Sequence, residues 1–173
     1  LLQLTIGDKG SYCYCAFGAP IAHDDDAVRA VATALDLREQ LAQLTFIHRA
    51  QFGISMGTMR VGPYGGTSHR TFGVLGDEVN LAARLMSRAE PGEIYISQRV
   101  AEAVEAHYEL RQIGPMQMKG KRVPVEVSAV IGAKDEAARA PITLYTNALV
   151  GRETELARMG ALLERAQAGE GQV

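Results

Sequence analysis

The chain has 173 residues, 47% hydrophobic and 22% charged, an ordinary globular composition with room for one domain of about 100–150 residues and an appendage. A formal net charge of -2 argues against a broad nucleic-acid-binding surface. No apolar run approaches the ~20 residues of a membrane span.

The first residue is Leu1 rather than Met, inside an expected strand, so the chain reads as a fragment whose true start lies elsewhere. Leu2–Gly7 and 12–17 are β-rich runs around Asp8-Lys9-Gly10-Ser11, a hairpin signature in which Gly10 can take a positive φ. Cys13 and Cys15 are the only cysteines. Two apart on a strand they share one face, without the C-x-x-C spacing of a zinc site, and they suit a reduced, cytoplasmic compartment. His23-Asp24-Asp25-Asp26 supplies a helix start and an acidic first turn. The helix is expected to run to about Leu44, with Val28, Val31, Leu35 and Ala42 buried.

A single strand is expected over 51–61, then a glycine-rich loop over 62–66 and a shorter strand at Arg70–Leu75. The helix that follows, over 76–88, places Val79, Ala82, Ala83 and Met86 on one apolar face. A strand over 93–96 leads to Ser97, which is expected to cap a helix reaching Ala106. Strands over 107–113 and 123–131 close the domain, with 116–122 between them. The irregular mixture of hairpins and crossovers predicts an α+β fold. Residues 133–148, polar and small at first and containing Pro141, read as a linker, and a helix-forming stretch follows to about Gln167.

The informative stretch is Thr71-Phe72-Gly73-Val74-Leu75-Gly76-Asp77-Glu78-Val79-Asn80-Leu81-Ala82-Ala83-Arg84. A strand ends at a glycine and feeds a helix on which Asp77, Asn80 and Arg84 line one polar face, at i, i+3 and i+7. An amide and a guanidinium aimed the same way suit a ribose and a phosphate; a solvated helix face is the bland alternative.

This string resembles the signature of class III adenylate and guanylate cyclases. Leu4-Thr5-Ile6-Gly7-Asp8-Lys9-Gly10 is similar to that family's metal-binding hairpin, its Asp-Lys-Gly turn especially to the second cyclase half of the soluble adenylyl cyclases. The resemblance implies a ferredoxin-like cyclase fold, mostly antiparallel with flanking helices, over residues 1–132, lacking its first strand and helices. It implies conversion of ATP or GTP to the 3′,5′-cyclic monophosphate and pyrophosphate, with two Mg²⁺ or Mn²⁺ ions. By resemblance, Asn80 orients the ribose, Arg84 stabilises the α-phosphate, Lys119 binds the terminal phosphates and Asp8 is one of two metal-binding aspartates. The other aspartate belongs to a strand that precedes this chain. Leu4 (or its neighbour Gln3) and Gly73 stand at the purine-selecting positions, where adenylyl cyclases use a lysine and an Asp or Thr, so purine choice stays open.

The resemblance further implies a site shared with a second cyclase domain, in a homodimer or a tandem pair, and the residues 1–173 alone are expected to be inactive. Leu149-Val150-Gly151-Arg152-Glu153 and the helix after it resemble the opening of an AAA-like P-loop ATPase domain over 149–173, which would make the whole a multidomain signalling protein. The alternative is a non-catalytic cyclase-like module that binds nucleotide or dimerises and regulates the attached ATPase domain.

Overall fold

The computed structural model describes residues 2–7, 10–67, 70–135 and 151–167. The chain divides into two units, Leu1–Ala140 and Pro141–Val173. In the first, β1 (Leu2–Gly7) and β2 (Gly10–Cys15) form an antiparallel hairpin, in register from Leu2 opposite Cys15 to Gly7 opposite Gly10. Helix α1 (Asp26–Ala42) follows. Strand β3 (Phe52–Ile54) comes next, then a second antiparallel hairpin of β4 (Arg60–Gly65) and β5 (Arg70–Leu75). Helix α2 (Asp77–Arg88), β6 (Ile94–Ser97), α3 (Gln98–Val104), β7 (Tyr108–Met116) and β8 (Val125–Ala133) complete the unit.

The central sheet has the order β3-β6-β8-β7. Only β3 and β6 run parallel in it; β6 with β8 and β7 with β8 are antiparallel. Strand β6 is buried along its whole length, and its alternation divides the core in two. Ile94 and Ile96 pack with Val31 and Leu35 of α1, Val100 and Val104 of α3, Tyr108 and Val130. Tyr95 joins Leu81 and Leu85 of α2, Met118, Val127 and Ala129 in a second cluster. The expected α+β, mostly antiparallel architecture is the one observed.

Several local expectations are corrected. Helix α1 stops at Ala42, which is exposed, and its buried positions are Val31, Ala34 and Leu35. Its start is held by Asp26, whose carboxylate accepts the His23 backbone N–H at 2.8 Å. The run over 51–61 is broken after Ile54, because Ser55 donates its hydroxyl to the Glu78 carbonyl at 2.6 Å and draws the chain onto α2. Most of the glycine-rich stretch is strand β4, since β5 supplies it with an antiparallel partner.

On α2 the buried residues are Leu81 and Leu85; Ala83 is exposed and Val79, Ala82 and Met86 are half-buried. The rotation follows from Gly53, where an added Cβ would lie 2.1 Å from the Ala82 carbonyl oxygen and 2.3 Å from the Met86 nitrogen. Strand β3 thus lies directly on the backbone of α2. Ser97 sits at the expected helix start but makes no side-chain cap hydrogen bond. It is still a strand residue, paired with Val127, and its buried hydroxyl has no hydrogen-bond partner among the described residues. Strand β7 runs longer than expected, to Met116, and β8 keeps the expected length but is shifted by two residues, to Val125–Ala133.

The second unit contributes helix α4 (Glu153–Gln167), with acidic Glu153 and Glu155 in its first turn and Arg165 in its last, the polarity the helix dipole favours. The expected linker lies mostly outside the described residues. No described helix is long and apolar enough to cross a membrane.

Candidate active site

Helix α2 begins immediately after β5, with Gly76 at its start and Asp77 and Glu78 in its first turn. Asp77, Asn80 and Arg84 share the face expected from their spacing; Asp77 and Asn80 are exposed and Arg84 is half-buried. Against this face lies a tight turn between β7 and β8. The Lys121 N–H donates to the Met118 carbonyl at 3.0 Å, and Gly120 takes a φ of 78°, as the third position of such a turn requires.

The turn is seated by Met118, which is 2% exposed and belongs to the cluster containing Leu81 and Leu85 of α2. The Gln117 side-chain amide donates to the Lys121 carbonyl at 2.7 Å. Gly120 faces Arg84: a Cβ there would lie in ordinary contact, 3.5 Å from Nη2 and 3.8 Å from Nη1. Lys119, exposed, occupies the second position of the turn. The structure therefore brings Arg84 and the Lys119 turn together, although the two residues lie far apart in sequence.

Lys121 adds a feature that sequence reading missed. Its Nζ donates to Asp77 Oδ2 at 2.7 Å. That hydrogen bond, then the lysine's charge and more weakly that of Arg84, hold the Asp77 carboxyl below the usual carboxylate range. Met-Lys-Gly-Lys is legible as a turn, but its partner on α2 is not, because nothing in the local pattern pairs Lys121 with Asp77. The Arg84 guanidinium, the turn that carries Lys119 and the Lys121–Asp77 pair lie together here, a basic surface suited to an oligophosphate.

Gly73 is buried in β5. The Tyr64 ring covers it from β4: a Cβ at Gly73 would lie 2.6 Å from Tyr64 Cε1 and 3.1 Å from the Tyr64 hydroxyl. A larger residue at 73 would compete with that ring for space, a relationship set by the hairpin register rather than by any sequence motif. Nearby, burial pushes the Tyr14 phenol up; the Val74 backbone acts against this and Tyr64 reinforces it. Leu4 lies on the first hairpin, opposite Cys13, and is 62% exposed. Asp8 lies outside the described residues. Among the described residues no group of three or more His, Cys, Asp or Glu side chains could hold a metal ion. The described donors therefore do not by themselves make a Mg²⁺ or Mn²⁺ site.

The profile of the adenylate and guanylate cyclase catalytic domain matches residues 4–131. The chain is 34% identical over 80 residues to adenylate cyclase type 10 of Oryctolagus cuniculus, a stretch covering 46% of this chain and 5% of that protein. Among solved structures it resembles the adenylyl cyclase CyaB from P. aeruginosa, with 31% identity and a TM-score of 0.62 over 66% of this chain and 64% of that one. It also resembles the guanylyl cyclase Cya2, with 28% identity and a TM-score of 0.67 over 78% and 72% of the two chains. The chain spans only 5% to 20% of the length of the first curated relatives it matches.

Proposed function

The chain belongs to the adenylate and guanylate cyclase catalytic domain family, and from that premise we propose that it is a purine nucleotide cyclase domain. It converts ATP or GTP to the 3′,5′-cyclic monophosphate and pyrophosphate in intracellular signalling. The observation that carries this reading is the packing of the Lys119–Gly120–Lys121 turn against the guanidinium of Arg84, on the helix face that also bears Asn80.

In this reading Asn80 orients the ribose so that its 3′-oxygen faces the α-phosphate. Arg84 neutralises the charge that accumulates there as the pyrophosphate departs, which is the kind of stabilisation that matters most in the transition state. Lys119 receives the terminal phosphates. Gly73 and Leu4 border the purine, with the Tyr64 ring filling the space beside Gly73. Asp8 is our proposal for a carboxylate ligand of Mg²⁺ or Mn²⁺. A second cyclase domain, as a homodimer or a tandem pair, completes the site. Residues 1–132 form the cyclase domain, 133–148 a linker, and 149–173 the opening of a P-loop ATPase domain; α4 is compatible with the last of these.

The Tyr64 ring over Gly73 favours one second reading, a cyclase-like module that binds nucleotide without turning it over. The experiment is a product assay with ATP or GTP and Mn²⁺, on the chain alone and joined to its natural flanking sequence, with Arg84→Ala as control. Cyclic product from the longer protein, lost by about 100-fold or more in kcat in the variant, supports the cyclase. Nucleotide binding without product supports the module. A rise in KM at unchanged kcat in Arg84→Ala would refute the role given to that side chain.

A further inference from the structure

Lys119 is exposed, and a free lysine side chain explores many rotamers. The backbone beneath it is nevertheless confined from two directions. Met118 is anchored in the core against α2, and Lys121 is tied to Asp77, the first residue of the same helix. Gly120 lies between these two attachments, against Arg84. A carboxylate placed among cations meant for a phosphate is unfavourable for anion binding on electrostatic grounds alone. The Asp77 carboxylate therefore calls for another explanation, and its bond to Lys121 supplies one.

We infer that Asp77 is a positioning residue: by holding Lys121 it sets the 118–121 turn so that Lys119 and Arg84 present their charges to the same oligophosphate. This rests on the reading of Lys119 and Arg84 as phosphate-binding residues. Asp77 need not touch the substrate. Its effect passes through the backbone of the turn, which Gly120 allows to double back at a φ of 78°.

The sign of one mutational effect separates positioning from mere charge. If Asp77 were only a surface carboxylate near the site, Asp77→Asn would remove a repulsion and tighten binding of a polyanion. If it positions the turn, the same change weakens binding. The experiment is calorimetric titration of the full chain at low ionic strength with inorganic tripolyphosphate, and separately with ATP and GTP. The expected result is a loss of about 2- to 5-fold in affinity for Asp77→Asn, as much as an exposed ion pair can transmit, and a similar loss for Lys121→Gln.

In a Lys119→Ala background, Asp77→Asn should cost little more, because both changes act on the same group. The charge-reversed pair Asp77→Lys with Lys121→Asp should recover part of the affinity. Thermal melts of the variants should stay within about 2 °C of wild type, since an exposed ion pair contributes little to stability. Tighter or unchanged binding in Asp77→Asn, with Arg84→Ala and Lys119→Ala both weakened, would overturn the inference alone. If no probe binds, or if Arg84→Ala and Lys119→Ala leave binding intact, the phosphate-site reading fails and the inference falls with it.

Discussion

Gly53→Ala is the substitution for which the structure gives the sharpest expectation. The new methyl carbon would lie 2.1 Å from the Ala82 carbonyl oxygen, 2.3 Å from the Met86 nitrogen and 3.0 Å from Leu85 Cβ, where ordinary contact begins at 3.4 Å. Two of these neighbours are backbone atoms of a helix and cannot rotate away. Strand β3 and α2 would have to part by about 1 Å or more, and a close-packed interior transmits such a displacement instead of absorbing it. Overpacking of this kind costs about 3 kcal/mol, the upper end of the usual range, equivalent to a fall in Tm of about 10 °C.

The matched control is Gly132→Ala in β8, where a Cβ meets nothing within 4 Å; its stability should change by no more than about 0.5 kcal/mol. Urea and thermal unfolding followed by circular dichroism measure both. Because α2 carries Asn80 and Arg84, surviving folded Gly53→Ala protein should also bind tripolyphosphate more weakly. A Gly53→Ala melt within about 2 °C of wild type would refute the claim that β3 rests on the helix backbone.

Gly73→Ala should displace the Tyr64 ring, and its cost should largely vanish in a Tyr64→Ala background, where the double-mutant cycle would show coupling of about 0.5 kcal/mol or more; additive effects would refute the contact. The Asp77 carboxyl, depressed by Lys121 and more weakly by Arg84, should titrate below the ordinary Asp range by NMR and move back up in Lys121→Met. The sign follows: the pair is present above the unfolded-state carboxylate pKa and is lost as pH falls through the lower folded value. Although Cys15 is exposed on the hairpin, local desolvation and then the neighbouring Cys13 thiol push its thiol up to about 11. Its alkylation by iodoacetamide, read by mass spectrometry, should be slow at pH 8, where only about one thiol in a thousand is ionised, and should climb steeply toward pH 11. Fast alkylation of Cys15 at pH 8 would count against that environment. Tyr108→Phe removes the hydroxyl that donates to the Val28 carbonyl at 3.1 Å, and denaturant unfolding should show a loss of about 1 kcal/mol.

Much of this protein is written locally. The β1–β2 hairpin, the Arg70–Leu75 strand and the helix after it can be read from glycine placement, β-branched runs and helical periodicity, because each depends on neighbours a few residues away. The polar face of α2 is equally local, since Asp77, Asn80 and Arg84 are brought together by the helical repeat alone. What periodicity could not decide was which apolar stripe of α2 faces inward. Val79, Ala82, Ala83 and Met86 satisfy the helical pattern as well as Leu81 and Leu85 do, and the choice is made by Gly53 on a distant strand and by Tyr95, Met118 and Val127. Likewise, Lys119 could be named from its motif, but its approach to Arg84 depends on a Met118 side chain buried under α2 and on the Lys121–Asp77 bond. Tyr64 over Gly73 follows from the register of a hairpin, which no single-strand pattern specifies. Local pattern specified most of the elements and the residue types of the site; the break after Ile54, strand β4 and the orientation of the site elements came from tertiary packing, because contacts between distant segments are set by which surfaces can approach without overlap.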